Sequence, residues 1–154
     1  MTSAMPAPDT VGAGSLRRVE LSLAADAQML FLARMTGAAV AARADFEYEQ
    51  VEDLRLAIDE LCIGLMSARP GAARLTLLFV WDDQGTLDVH GTLTPEEGVS
   101  ANGRHPAPAV SGSSFELSER ILDALVDDHG VETIGEVHRA WLRMRARNTS
   151  RDVD

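Results

Sequence analysis

Cysteine is nearly absent: Cys62 is the single one in 154 residues, so no intrachain disulfide can form and a reducing compartment fits. Basic residues are also scarce, 14 Lys and Arg against 24 Asp and Glu, for a formal charge of -10. Such an excess repels a phosphate backbone and argues against direct nucleic-acid binding. No apolar run is long enough to span a bilayer, and the first residues are too rich in Ala, Pro, Ser and Gly for a signal peptide. A cytoplasmic protein without membrane contact is expected. Metal-ligand spacing is missing too, since His90, His105, His129 and His138 are scattered.

What is present suits one folded domain. The chain is 45% hydrophobic and 25% charged, an ordinary balance for a globular protein of this length. Residues 1–16 form a leader of Pro, Gly and small polar residues that cannot bury enough surface to offset the entropy of ordering. Residues 17–147 make up the domain, and 148–154 a polar tail. Val19, Leu21 and Leu23 alternate with polar residues, which predicts a strand. Asp26 opens a helix to about Ala42, Phe46 anchors the connection, and a second helix runs from about Tyr48 to Ala68, ended by Pro70 and Gly71. "RLTLLFVW" and "TLDVHGTL" flank the turn residues "DDQG" and predict a hairpin. A long loop from Thr94 to Ser114, a helix from Phe115 to Leu125 and a last strand from Val137 to Ala146 follow. This order predicts an α/β two-layer sandwich with helices on one face of a mixed sheet.

The second helix carries "DLRLAIDELCIGLM", Asp53 to Met66. Val51, Leu54, Ile58, Leu61 and Leu65 are spaced for a core-facing stripe. Glu60 and Gly64, four apart, lie on the neighbouring stripe with Asp53 and Ala57 behind them. The Glu60 carboxylate is therefore expected at the rim of the core. Cys62, inside the same apolar helix and without a basic neighbour, reads as a small buried hydrophobe.

Three stretches taken in order, "VELSLAADAQMLFLARMTGAAVAA", "FEYEQVEDLRLAIDELCIGLM" and "SFELSERILDALVDDHGVE", resemble the anti-sigma-factor serine kinases of bacterial stress and sporulation switches. The likeness is greatest to the actinobacterial general-stress branch. These proteins have the ATPase fold shared with histidine kinases, gyrase B, Hsp90 and MutL. The resemblance covers roughly residues 17 to 146. It implies ATP and magnesium as cofactors, with Glu60 matching the family's general base. The magnesium-binding Asn falls on Gly64, which has no side-chain oxygen for a hard cation. The family's Asp-x-Gly-x-Gly run is met only by Asp88 and Gly91 at the wrong spacing. Of the glycine-rich lid that wraps phosphates with backbone amides, Gly112 remains.

The resemblance therefore implies an anti-sigma factor that sequesters an alternative sigma factor from RNA polymerase and is released by an anti-anti-sigma antagonist. Kinase activity would be weak or lost. Arg34, in "ARMT" on the first helix, matches the family's partner-binding arginine, and a guanidinium suits an interface anchor. A homodimer through the first strand is implied as well. Two alternatives stay open: an active ATP-dependent serine kinase, with Asp59 or a backbone carbonyl replacing the missing metal ligand, and a non-catalytic module of another signalling enzyme.

Overall fold

The structure, a computed structural model, is described for residues 15–69, 71–96 and 112–147, except the side chains of 112–115. Nearly all of the expected leader, most of the long loop and the tail lie outside these residues. The elements are strand β1 (Arg17–Ala24), a single 3-10 turn (Ala27–Met29), helices α1 (Leu30–Arg43) and α2 (Tyr48–Ala68), strands β2 (Ala73–Trp81) and β3 (Thr86–Pro95), helix α3 (Gly112–Leu125), and strands β4 (Asp128–Ile134) and β5 (Val137–Arg145). The five strands form one sheet in the order β1-β2-β3-β5-β4, and the helices cover one of its faces. The two-layer sandwich is as expected. The sheet, however, is antiparallel throughout rather than mixed, because two tight hairpins, the α1–α2 connection and the return through α3 bring every strand beside a neighbour running the other way.

Local chemistry explains most boundaries. The Asp26 side chain accepts a hydrogen bond from the Gln28 N–H at 2.9 Å and starts the turn before α1. After α1, Asp45 adopts φ 60° and Phe46, 8% exposed, plugs into the core and fixes the connection. In the β2–β3 hairpin, Asp82 Oδ1 accepts from the Gln84 and Thr86 N–H groups, both at 2.9 Å, while Gly85 takes the φ of 83° that the turn needs.

The expected stripe on α2 is the centre of the core: Leu54, Ile58, Leu61 and Leu65 are buried, each contributing about 1.5–3 kcal/mol of transfer free energy, and Val51 packs at its edge. Opposite them lie Leu77 and Phe79 on β2, Leu87, Val89 and Leu93 on β3, and Leu142 and Met144 on β5. Two glycines let α2 approach closely. A Cβ on Gly37 of α1 would collide with Ile58 Cδ1, and one on Gly91 of β3 would fall 2.6 Å from Leu65 Cδ1 and 2.7 Å from Leu61 Cδ2. Cys62 is buried as expected, and burial, helped by the nearby Asp59 charge, pushes its thiol up to about 12.

Strand β4 was not expected from the sequence. It is an edge strand whose residues are mostly exposed, so "DHGVETI" shows no apolar alternation. The signal that marks it is the next pair of residues: Gly135, at φ 60°, and Glu136 close a two-residue loop between the paired Ile134 and Val137.

The Gly37 contact yields a stability prediction. Gly37→Val places branched atoms against Ile58 in a filled interior and is expected to cost about 1–3 kcal/mol, read as a lower midpoint in chemical denaturation. An unchanged midpoint would mean that Ile58 can step aside freely and that the helices are not held by this contact.

Candidate functional site

Between α2, α3 and the β4–β5 hairpin lies a cavity of about 490 Å³. Glu60 and Gly64 reach it from α2, Ser118 and Leu122 from α3, and His129 and Arg139 from the hairpin. The helical period explains the pairing on α2. With Leu61 and Leu65 committed to the core, Glu60 and Gly64 fall on the adjacent stripe, and Glu60 is half-buried at the rim, as expected.

Glu60 has a partner that the sequence did not suggest. Ser118 donates its hydroxyl to Glu60 Oε2 at 2.7 Å. These residues lie 58 positions apart, and no local pattern links a serine on α3 to an acid on α2. A further link ties α3 to the hairpin, where His129 Nε2 and Asp123 Oδ1 are 2.7 Å apart. The space beside Gly64 is open, for nothing lies within 4 Å of a Cβ built there. Gly64 is thus not required by crowding. Gly112 opens α3.

The remaining candidates stand elsewhere. Arg34 Nη1 donates to Asp59 Oδ1 at 2.8 Å, joining α1 to α2, with both side chains about one-third exposed at 34% and 27%. That bond occupies Asp59, which does not line the cavity, so the kinase alternative does not find its substitute metal ligand in this side chain. Asp88 and Gly91 point to opposite faces of the sheet: Gly91 lies under α2, whereas Asp88 takes two bonds from Arg143, at 2.6 and 2.8 Å, on the side away from the helices. Neither can offer a side-chain group to the cavity.

On α2 the cavity offers a magnesium-bound triphosphate a single side-chain oxygen group, that of Glu60. Magnesium needs a near-octahedral set of oxygen ligands, yet Gly64 supplies none and Glu60 is engaged by a serine hydroxyl. Among the described residues no group of three or more His, Cys, Asp or Glu side chains converges as a metal site. Four acidic residues, Glu60, Glu119, Asp128 and Glu132, line the cavity together with hydroxyl, imidazole and guanidinium groups and an otherwise mostly apolar wall.

No family model matches the chain. It is 28% identical over 88 residues to a serine-protein kinase RsbW of Bacillus mycoides, a match covering 55% of this chain and 52% of that protein. It is 35% identical over 114 residues to an anti-sigma-F factor RsbW of Mycobacterium tuberculosis, covering 73% of this chain and 60% of the relative; the same figures hold in a second strain of that species. The matched part of the chain thus spans between 52% and 60% of the length of these relatives. Together with a two-layer α/β sandwich that carries its acid on the second helix, these similarities to a serine-protein kinase RsbW and an anti-sigma-F factor RsbW support an RsbW-type family for the chain.

Proposed function

We propose that this protein is an anti-sigma factor that works by capture rather than by phosphorylation: it holds an alternative sigma factor away from RNA polymerase until an anti-anti-sigma protein displaces it. The observation that carries this reading is the cavity beside Glu60. Where the resemblance calls for an amide oxygen there is Gly64, and the carboxylate meant to act as base accepts a hydrogen bond from Ser118 instead. A general base accelerates transfer only when a held phosphoryl group and its metal are within reach. The relatives' names, one a kinase and one an anti-sigma factor, describe the two activities between which this site would choose.

The capturing surface in this proposal is the outer side of α1. Phe31 is 46% exposed there, beside the partly exposed Arg34. An apolar anchor beside a guanidinium is what a protein interface uses. Arg34 has donors beyond the one given to Asp59, so it can keep the helix pair together while bonding a partner carboxylate.

A homodimer is part of the proposal. Strand β1 pairs with β2 on one side, and among the described residues no strand pairs with its other edge. A groove of about 600 Å³ beside it is lined by Val19, Leu32, Met35, Val40 and Trp81. A two-fold pairing of such edges covers unpaired backbone groups and this groove at once.

Three measurements test these statements. In calorimetry the protein is expected to show no saturable heat with magnesium ATP at micromolar concentrations, whereas Gly64→Asn, which the open space accommodates, is expected to bind measurably; tight binding by the unaltered protein would sink the loss of the nucleotide site. Arg34→Ala is expected to weaken the complex with the cognate sigma factor by about 1–3 kcal/mol, and an unchanged dissociation constant would remove Arg34 from the interface. Met35→Glu buries a charge in the proposed dimer groove and should shift sedimentation from dimer to monomer; a monomeric parent protein would overturn the dimer outright.

A further inference from the structure

Strand β4 ends the sheet, and among the described residues no strand pairs with its outer edge. The two-residue loop after it makes Ile134 and Val137 a hydrogen-bonded pair. Every second residue back from Ile134, namely Glu132 and Gly130, therefore spends its N–H and C=O on β5, whereas Val131 and Thr133 turn theirs to the outer edge. Natural edge strands are blunted by lysine, proline or a bulge. Over its seven residues β4 has neither lysine nor proline, and its register with β5 is unbroken. Val131 and Ile134 are each 52% exposed instead, which sets apolar side chains beside outward-facing backbone groups.

Helix α3 stands next to this edge, tied to it by His129 Nε2 and Asp123 Oδ1, 2.7 Å apart. An edge strand flanked by a helix is where an extended segment can add as a further strand: main-chain bonds supply affinity, and alternate side chains entering pockets choose the sequence. Cross-strand partners share a face, and Val131 is paired with Ala140, which packs in the core under the helices. A residue set opposite Val131 on an added strand would therefore send its side chain to the cavity side. There the walls include Leu61, Leu65 and Leu122, with the half-buried Glu60 beyond them. Glu60 accepts one bond, from Ser118 to Oε2, and an ionised carboxylate has lone pairs for more. Four acids line the cavity against one guanidinium, that of Arg139. A side chain with an aliphatic stem and a cationic head matches both the walls and the acid.

We infer that the outer edge of β4 is a docking site for an extended protein segment, which adds to the sheet beside Val131 and Thr133 and sends a Lys or Arg into the cavity to bond Glu60. The inference rests on the cavity being free of nucleotide, as proposed above, but not on capture at α1.

A phage-displayed library of random peptides is selected on the full protein without nucleotide, so the result is separate from that of the ATP titration. Counter-selection uses Val131→Pro, which removes an outward N–H and spares the β4–β5 ladder. Enriched peptides are expected to alternate β-branched residues around one Lys or Arg. Their affinity should fall about tenfold or more on Val131→Pro, on Glu60→Gln, and when that Lys or Arg is replaced by norleucine. Hydrogen exchange at the Val131 and Thr133 amides should slow on binding, while Gly130 and Glu132, already bonded to β5, change less. The inference is overturned if no peptide prefers the parent over Val131→Pro, if the norleucine peptide binds equally well, or if only amides outside β4 slow. It is also overturned if Val131→Pro turns a dimer into a monomer, which would give this edge to a second copy. Should Val131→Pro lose its circular dichroism, N-methylation of the peptide residue facing Val131 tests the same bonds on the unaltered protein.

Discussion

Everything at the cavity depends on how closely α2 can press into the layer beneath it. Gly37 on α1 and Gly91 on β3 hold no side chain where Ile58, Leu61 and Leu65 arrive. With those three residues seated, the rotation of α2 about its axis is no longer free, since each lies on the stripe that must stay dry. The neighbouring stripe, Glu60 and Gly64, is thereby aimed at the space that α3 and the β4–β5 hairpin enclose. A core constraint has become a positional one: the acid does not choose its location, and a change of volume beneath α2 would move it.

Charge and hydrogen bonding then assign the acids on that helix to different tasks. Asp59 and Glu60 are adjacent and so face different directions. Asp59 turns toward α1 and meets Arg34; Glu60 turns toward α3 and meets Ser118. The first contact couples the proposed partner-binding helix to the one bordering the cavity, and the second couples the cavity to α3. A partner that drew Arg34 off Asp59 would loosen the α1–α2 junction, at a modest cost, because an ion pair this exposed is worth roughly 1 kcal/mol or less. A binding surface attached through so weak an internal tie can be adjusted without disturbing the core.

The legibility of the sequence followed the strength of each physical signal. Helix α2 and the β2–β3 hairpin were plain, because long apolar periods and turn residues act locally. The antiparallel character of the sheet was not, since it depends on how α3 returns the chain and no residue pattern encodes that path. Strand β4 was hidden by its position at an edge, where exposure removes the alternation that marks a strand. The Glu60 carboxylate was placed at the rim by spacing alone. The Ser118 contact joins elements far apart in the chain, and Asp59 looked available as a ligand only because its neighbour across the helix pair could not be seen.

The two faces of the sheet illustrate why a conspicuous motif can mislead. Asp88 and Gly91 sit in the segment where the resemblance puts nucleotide chemistry, three residues apart, and three is an odd number. In a strand that sends them to opposite faces: the glycine admits α2, and the aspartate joins Arg143 on the far side. Spacing that looked like a damaged binding run is the spacing of two structural duties, one serving the packing of the helical layer and one pinning β3 to β5. A single residue inserted between them would have brought both to one face and cost the fold at least one of these contacts.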